Sequence, residues 1–507
     1  MRNTGKEEPG SMIGGDKNQA LASDGRRIAI ESPIIHVSSH ALLPPEITLC
    51  SLIPVANSLL QSKGTFLPML RLALPVLAEQ LLHALVMLVD VWLTGNLLGE
   101  NNTPALAAIG LMAYTMWLLT SIFDFVSSGA TALTARFVGA SDLRRAQEIT
   151  NQSILVGSGL ALTIMVVAFL GARWFVSVMQ LESEAAHLAL RYIYIILPVL
   201  PAIMIERVGI ACLRGAGRML TVFWVMAIVN LVNIVVSYSL VVGFGPFAPM
   251  GWDGIALGTA AAHFVGGLLV LIMLLIGRSG LHLRIRLLKP DVGQIRRLLR
   301  IGIPGGTDTL LIISCHLWFL GLINALGDEA AAAHNVAIRL ESLAFLPGAA
   351  FSLAATTLAG QFLGAGDFYR ARRSVEMACL TACGIMMSVG VLFFFGGRPL
   401  ADFFLDPQQD AQIARDAANL LRIASYAMLP LALHMVLTGA LRGAGDTRWP
   451  LLFTLIGFLG VRIPATYLLT ASYGVAGAWW AMLFDISLRC LMVVYRFRHG
   501  GWRKTVV

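Results

Sequence analysis

The sequence predicts an all-α polytopic membrane protein with twelve transmembrane helices in two pseudo-symmetric lobes of six. Three observations support this fold class: apolar segments that follow one another, basic residues confined to alternate loops, and motifs that repeat at nearly one offset. Of the 507 residues, 57% are hydrophobic and only 13% are charged, and the mean hydropathy is +0.75. A soluble fold cannot hide that much apolar surface from water.

The apolar segments define the predicted spans. A transmembrane helix needs about 20 predominantly apolar residues, and about twelve segments of that kind lie between Phe66 and Phe497. The first half contains Phe66–Gly99, Ala105–Phe137, Asn151–Arg173, His187–Cys212, Leu220–Val242 and Gly254–Ile276. The second half contains Ile301–Leu326, Ala331–Gln361, Val375–Phe395, Ala418–Leu441, Leu451–Thr470 and Val475–Phe497.

The net charge of +8 has a topological cause. Clusters such as Arg144 with Arg145, the segment 278–300 and Arg370–Arg373 lie in alternate loops, whereas the connections between them are short or acidic. The positive-inside rule therefore places both termini in the cytoplasm, which requires an even number of spans. We expect an integral plasma (inner) membrane protein that contacts the lipid bilayer and binds no nucleic acid.

Three repeated motifs divide the chain into two halves. Leu70–Pro75 recurs as Leu299–Pro304 after 229 residues, and two further pairs recur at offsets of 225 and 228, namely Val138–Asp142 with Leu363–Asp367 and Leu213–Gly217 with Leu441–Gly445. Six helices separate equivalent points, so both halves have the same orientation, and such halves enclose the substrate path in transporters. The predicted domains are a flexible tail 1–63, a lobe 64–277, a basic linker 278–300, a second lobe 301–497 and a tail 498–507.

No motif indicates catalysis or a cofactor. The six cysteines show no paired spacing for a metal, and no glycine-rich phosphate loop precedes a GK[ST] sequence. We therefore expect a protein that is not an enzyme, has no cofactor and holds no metal.

Ionisable residues inside the spans are the candidate site. A charge at mid-membrane costs at least about 2.5–3.5 kcal/mol, so each one suggests a function. Glu79, His83 and Asp90 lie within about 40° of one another on one helix face, over about 16 Å of helix. Such a ladder is typical of a proton or cation path, and Asp90 is its strongest candidate. The alternative is that each group pairs structurally with a neighbouring helix.

Other polar residues extend this candidate site. Asn230 and Asn233 share one face of the fifth span and can bind a cation or a protonated carboxyl, or can simply join helices. Glu206 and Arg207 are possible charge partners, and we expect Arg207 to offset a carboxylate of the first span. Adaptable side chains would form the substrate cavity, unless they only pack in the core; these are Met87, Met112, Met116 and Trp117.

Several motifs resemble the multidrug and toxic compound extrusion (MATE) family from about Gly64 to Lys504. They include ALPVLAEQLLHALVMLVDVWLTGNLLG, CLRGAGRML, NLVNIVVSYSLVV, GIALGTAAAH, GALRGAGDTRWP and VRIPATYLL. The resemblance implies two six-helix lobes that form a V around a central cavity. It also implies export of cationic, amphipathic drugs and metabolites by alternating access, coupled to protons or sodium.

The family pattern assigns roles to particular residues and is broken at two of them. By resemblance, Asp90 matches a first-span coupling aspartate and Asn233 a fifth-span asparagine of the same site. Ser237 stands where the family usually has an aspartate, and Ile312 stands where sodium-driven members are expected to have a glutamate. These departures favour coupling in the first lobe, with protons rather than sodium.

The predicted function is therefore secondary active efflux of a cationic or amphipathic small molecule by a monomer. The alternative is a flippase for a lipid-linked sugar or phospholipid of the same broader superfamily. A flippase of that kind should line its cavity with basic side chains for phosphate, and the sequence offers few beyond Arg207, Arg339 and Arg462.

Overall fold

The computed structural model describes residues 64–97, 103–179, 183–244, 248–277, 280–404 and 410–505. The predicted tail 1–63 lies outside the described residues. Helices account for nearly all of the described chain, and no strand occurs within it. Ten of these helices are long and apolar enough to cross a membrane, or eleven when one bent pair counts as a single span.

The bent pair and the last helix bring the number of spans to twelve. Ala108–Ile122 and Asp124–Gly139 form the bent pair, with an angle of 48° between them. Arg448–His499 is 52 residues long, more than twice what a bilayer needs, and its backbone leaves the helical region at Gly474, where φ is 55° and ψ is −138°. The helix therefore comprises two spans that meet at Gly474.

We number the spans 1 to 12 in chain order. Spans 1 to 6 are Phe66–Leu97, Thr103–Ile122 with Asp124–Gly139, Leu143–Val178, Ser183–Ile196 continued by Leu200–Gly215, Met219–Val242 and Trp252–Ile276. Spans 7 to 12 are Val292–Asn324, Asp328–Gly364, Phe368–Asp402, Ala411–Gly443, 448–473 and 475–499. We call the membrane face on which spans 2, 4, 6, 8, 10 and 12 end the basic face, because the arginine-rich loops lie there, and the opposite one the far face.

Two helices extend into the segments predicted as the linker and the C-terminal tail. Span 7 begins at Val292, inside the segment predicted as a linker, because the Asp291 side chain caps it by accepting hydrogen bonds from the backbone N–H groups of Gly293 and Gln294, at 2.8 and 3.1 Å. Span 12 continues to a short 3₁₀ turn, Gly501–Lys504, in which Trp502 is fully buried. The segment predicted as a C-terminal tail is thus partly folded onto the lobe.

The chain has two apolar cores, one in each lobe, and the lobes meet along spans 1, 2, 7 and 8. Met69 and Val76 of span 1 join the second-lobe core, and Leu298 of span 7 joins the first-lobe core. Several close contacts between the lobes lie near the basic face. The Thr357 hydroxyl of span 8 donates a hydrogen bond to the Arg214 carbonyl of span 4 at 2.9 Å, and the Gln361 amide donates to the Gly215 carbonyl at 2.9 Å. Both carbonyl groups belong to the last turn of span 4, and the two bonds hold the lobes together at this face.

Candidate functional site

Asp90 belongs to a buried polar group in the first lobe. Its Oδ1 atom is buried and has no hydrogen-bond partner among the described residues. Tyr192 of span 4 lies within electrostatic range of Asp90 and within hydrogen-bonding reach of the Thr259 hydroxyl of span 6. Asn233 of span 5 donates from Nδ2 to that same hydroxyl at 3.3 Å. We call these four residues, from spans 1, 4, 5 and 6, the Asp90 site.

Unsatisfied polar atoms continue along span 5. Asn230, Asn233 and Ser237 follow one another at spacings of three and four residues, so they share one helix face, and all three are at most 5% exposed. Within the described structure, Asn230 Nδ2, Asn233 Oδ1 and Ser237 Oγ are buried without a partner. Because buried polar atoms are normally hydrogen-bonded, this face is suited to binding a proton, an ion or water.

Glu79 lies at the other end of the predicted ladder and is paired. Its carboxylate accepts a hydrogen bond from Arg214, in the last turn of span 4. The second lobe repeats this pair: Arg442 donates to Asp308 at 2.5 Å. Glu79 is therefore a first-lobe ion-pair residue near the basic face, about 16 Å along the helix from Asp90.

His83 lies between these two carboxylates and is exposed on the surface of span 1. It is within electrostatic range of Arg207, His263 and Glu206. His83 thus connects the first-span ladder with charged groups on spans 4 and 6.

Glu206 and Arg207 point in different directions, as their adjacency on one helix requires. Glu206 is 1% exposed and contacts His263 of span 6, with 2.9 Å between Oε2 and Nδ1. Arg207 is exposed and lies within electrostatic range of Asp124, at the bend of span 2. Arg207 was expected to pair with a carboxylate of span 1. The arginine that binds Glu79 is Arg214 instead.

The predicted cavity residues have different environments. Met112 is 1% exposed and belongs to the first-lobe core, so it packs rather than lines an open cavity in this conformation. Met116 is partly buried against the same core. Trp117 is 39% exposed and contacts His316 of span 7 edge-on, with 5.9 Å between ring centroids, which places it between the lobes. The side chain of Met87 lies outside the described residues.

The second lobe has a different polar centre. Asp485 of span 12 is fully buried and binds Arg489 at 2.6 and 2.8 Å, and it lies 3.6 Å from Arg462 of span 11. Arg462 also lies over the ring of Phe319, the counterpart of Asp90 at the offset of 229, with 4.9 Å to the ring centroid. An arginine over an aromatic face is a cation–π contact, so the two lobes differ chemically at this equivalent position.

Tyr192, Thr259 and His263 were missed from the sequence as site residues. Each lies within an apolar segment where a single tyrosine, threonine or histidine is ordinary. Thr259 and His263 are four residues apart on span 6 and so share a face, within the motif GIALGTAAAH. That spacing indicates a shared polar face on span 6. The sequence does not show that this face is turned toward spans 4 and 5.

Comparisons with known proteins identify the family. The MatE family model matches residues 75–239 and 307–468. The probable multidrug resistance protein NorM of Thermotoga maritima is 27% identical over 441 residues, covering 87% of this chain and 93% of its own. The multidrug resistance protein NorM of Burkholderia vietnamiensis is 27% identical over 447 residues, covering 84% and 92%.

Solved structures agree on the fold. A multidrug resistance MATE family transporter of the MOP superfamily, in an outward-facing conformation, superposes with a TM-score of 0.81 at 20% identity, covering 89% of this chain and 99% of its own. A MATE in complex with MaL6 gives a TM-score of 0.80 at 21% identity, with the same coverage. The prediction of twelve spans in two lobes that form a V is thereby confirmed. Because the family model covers more than half of the chain and both of its lobes, the protein belongs to the MatE family, whose named relatives are multidrug transporters and not enzymes.

Proposed function

We propose that this protein exports cationic or amphipathic small molecules across the plasma (inner) membrane by alternating access, driven by proton uptake at Asp90. The observation that carries the proposal is that the buried Oδ1 atom of Asp90 has no hydrogen-bond partner among the described residues, while Tyr192 lies within electrostatic range of Asp90. A buried carboxylate with a structural role is normally paired with a cation, as Glu79 is with Arg214 and Asp308 is with Arg442. An unpaired one is suited to binding and releasing a proton.

Protonation would change the stability of two conformations by different amounts. An ionised carboxylate is costly to bury, whereas a protonated one is neutral and can donate a hydrogen bond. Asn233 Oδ1 and Ser237 Oγ, which have no partner in the part of the chain that the structure describes, lie on the span that packs against span 1. A proton on Asp90 would therefore favour a first lobe closed around the Asp90 site, and its loss would favour a lobe that admits water.

The composition of the Asp90 site supports protons over sodium. It contains one carboxylate, and Ser237 occupies the position at which a second one would add negative charge. A single carboxylate is sufficient for a proton, because one bond neutralises it.

Alternating access is supported by where the lobes touch. Contacts between spans 2 and 8 and between spans 4 and 8 are concentrated at the basic face. The positive-inside rule makes that face cytoplasmic, so this conformation is closed toward the cytoplasm. Release of these contacts would open the cavity to the cytoplasm and allow substrate to bind.

The test is transport in proteoliposomes with proton and sodium gradients imposed separately. We expect a fluorescent cationic dye to move against its gradient when protons flow the other way, and Asp90→Asn to abolish this movement. Glu148→Gln is the matched control, because Glu148 is a surface carboxylate paired with Arg144 at 3.1 Å. Retained proton-driven transport in Asp90→Asn would contradict the proposal. Failure of every dye under both gradients would favour the flippase alternative.

A further inference from the structure

His263 and Glu206 form a second titratable pair in the first lobe. The Nδ1 atom of His263 lies 2.9 Å from Glu206 Oε2, and their side chains are 17% and 1% exposed. The carboxylate is enclosed by spans 5 and 6: a Cβ added to Gly266 would lie 2.7 Å from Glu206 Oε2 and 2.7 Å from Val229 Cγ2. Only glycine fits at position 266 beside the Glu206 carboxylate, so the packing of spans 4, 5 and 6 fixes the position of Glu206.

Within the described structure, no arginine or lysine forms an ion pair with the Glu206 carboxylate. His83 of span 1 is within electrostatic range of both members of the pair and of Arg207, the neighbour of Glu206 on span 4. Span 5 contributes Val229. Arg207 points away from Glu206 toward Asp124, and among the described residues no arginine or lysine lies within 4 Å of the Glu206 carboxylate. The charge of the pair therefore depends on whether the imidazole holds one proton or two.

The pair lies next to the Asp90 site. Thr259 of that site and His263 are four residues apart on span 6, so they share a face at a separation of about 6 Å along the helix. On span 1, His83 and Asp90 are seven residues apart, two turns on one face. The Asp90 site and the pair are stacked along the helix axes, with the pair nearer the basic face.

From this arrangement we infer that the His263–Glu206 pair is a second proton-binding site, which loads and unloads with Asp90 during transport. The inference rests on the proposed proton coupling at Asp90. In the unloaded state, a neutral imidazole donates its Nδ1 proton to the ionised carboxylate, and the pair carries one negative charge. Uptake of one proton at Nε2 makes an imidazolium, and the pair becomes neutral.

Water is the proton donor and acceptor for this step. The imidazole keeps 17% of its surface exposed and the carboxylate 1%, so His263 is the more accessible member of the pair for proton exchange. Loading removes one uncompensated charge from the lobe interior, in the same direction as protonation of Asp90. Both events therefore favour the same closed first lobe, and each transport cycle moves one more proton than Asp90 alone would carry.

The experiment measures the number of protons moved per substrate in proteoliposomes. A pH-indicating dye inside the vesicles counts protons, and the substrate is the same fluorescent cation. Each proton that moves down a gradient of one pH unit supports about a tenfold substrate gradient. We expect His263→Gln and Glu206→Gln to lower the proton count by about one and the limiting substrate gradient by about tenfold per pH unit.

Controls separate this site from folding and from the proposed function. Substrate-for-substrate exchange, which needs no proton gradient, is measured in the His263 and Glu206 variants as a test of folding. The double variant with Glu206→Gln and His263→Gln keeps two amides able to hydrogen-bond and guards against misfolding of the single variants. His499→Gln, an exposed histidine at the end of span 12, should keep the wild-type count.

The outcomes distinguish the two hypotheses. A wild-type proton count in the double variant would overturn the second site, while loss of proton-driven transport in Asp90→Asn would still support the proposed function. Conversely, proton-driven transport that survives in Asp90→Asn but loses about one proton in His263→Gln would overturn the role of Asp90 and leave the pair as the coupling site.

Discussion

Gly139 of span 2 packs against the backbone carbonyl of Gln361 in span 8, so closely that a Cβ added to Gly139 would lie 1.9 Å from that oxygen. An equivalent contact runs in the opposite direction: a Cβ added to Gly364 of span 8 would lie 2.0 Å from the carbonyl oxygen of Arg136 in span 2. Both residue pairs are related by the offset of 225 residues. The lobes therefore meet through a reciprocal contact that follows the internal repeat.

Alanine at Gly139 should open the lobes at the basic face. The added methyl group meets backbone atoms, which cannot rotate away, and overpacking of this kind costs about 1–3 kcal/mol. We expect Gly139→Ala and Gly364→Ala to increase hydrogen exchange in the segments around 136–140 and 357–364, and to slow transport.

A second glycine serves as the control for this prediction. No atom lies within 4 Å of a Cβ added to Gly159 of span 3. Gly159→Ala should therefore leave exchange at the basic face unchanged, and it should stabilise the helix slightly, because glycine costs about 0.5–1 kcal/mol in a helix interior. Equal effects of Gly139→Ala and Gly159→Ala would refute the role of the lobe contact.

The ion pairs Glu79–Arg214 and Asp308–Arg442 should behave alike. Removal of one partner from a buried pair strands the other charge and costs about 3–5 kcal/mol. We expect Glu79→Gln and Asp308→Asn to lower the unfolding temperature in detergent by similar amounts. In a double-mutant cycle, Arg214→Gln combined with Glu79→Gln should cost less than the sum of the single changes.

An exposed pair provides the comparison. Arg398 binds Asp402 at 2.9 Å, but their side chains are 37% and 30% exposed. Surface pairs contribute about 0–1 kcal/mol, so Asp402→Asn should change the unfolding temperature little. If Asp402→Asn destabilised the protein as much as Glu79→Gln, burial would not be the reason for the strength of the inner pairs.

These ion pairs show how far sequence reasoning reaches. The offset of 229 identifies Asp308 as the acidic counterpart of Glu79, and the repeated Leu-Arg-Gly-Ala-Gly motif relates Arg214 to Arg442. The sequence does not connect the two observations, because the predicted spans end at Cys212 and Leu441 and leave both arginines outside them. The helices in fact continue to Gly215 and Gly443, which places the arginines in the last turn, within reach of the carboxylates.

The Asp90 site was only half predictable for a different reason. Asp90 is identifiable because a carboxylate inside an apolar segment is costly. Tyr192 and Thr259 carry no charge, and their sequence context is the same as that of residues that only pack. Their contribution depends on the rotation of spans 4 and 6 about their own axes, which composition does not encode. The repeats predicted the lobes, whereas the site also depends on side-chain direction.

The cap of span 9 should give a pH-dependent stability. The Asp367 side chain accepts a hydrogen bond from the Arg370 backbone N–H at 2.8 Å and another from its guanidinium at 2.5 Å. Partial burial opposes the charge of Asp367, but these hydrogen bonds outweigh it and hold the pKa of the carboxyl below its ordinary value. The ionised form therefore stabilises the fold above the ordinary aspartate pKa of about 3.9.

This stabilisation should disappear as the pH falls through the lower, folded-state pKa. We expect Asp367→Ala to cost about 1 kcal/mol at neutral pH and progressively less below about pH 3.9. The free energies of unfolding of wild type and Asp367→Ala are compared by chemical denaturation in detergent, at neutral pH and below about pH 3.9. A cost that does not vary with pH would show that the alanine acts through packing and not through loss of the charged cap.

Trp502 should be essential for stability although it lies in a segment predicted as a tail. Its side chain is fully buried, stacks on Phe497 with 5.0 Å between ring centroids and 8° between planes, and donates from Nε1 to the Phe497 carbonyl at 2.9 Å. Truncation of a buried tryptophan costs about 3–5 kcal/mol. We expect Trp502→Ala, or removal of residues 501–507, to lower the unfolding temperature strongly. Trp174→Ala is the control, because this side chain is 71% exposed, and it should change the unfolding temperature little. A truncated chain as stable as wild type would show that the C-terminal turn contributes nothing to the stability of the second lobe.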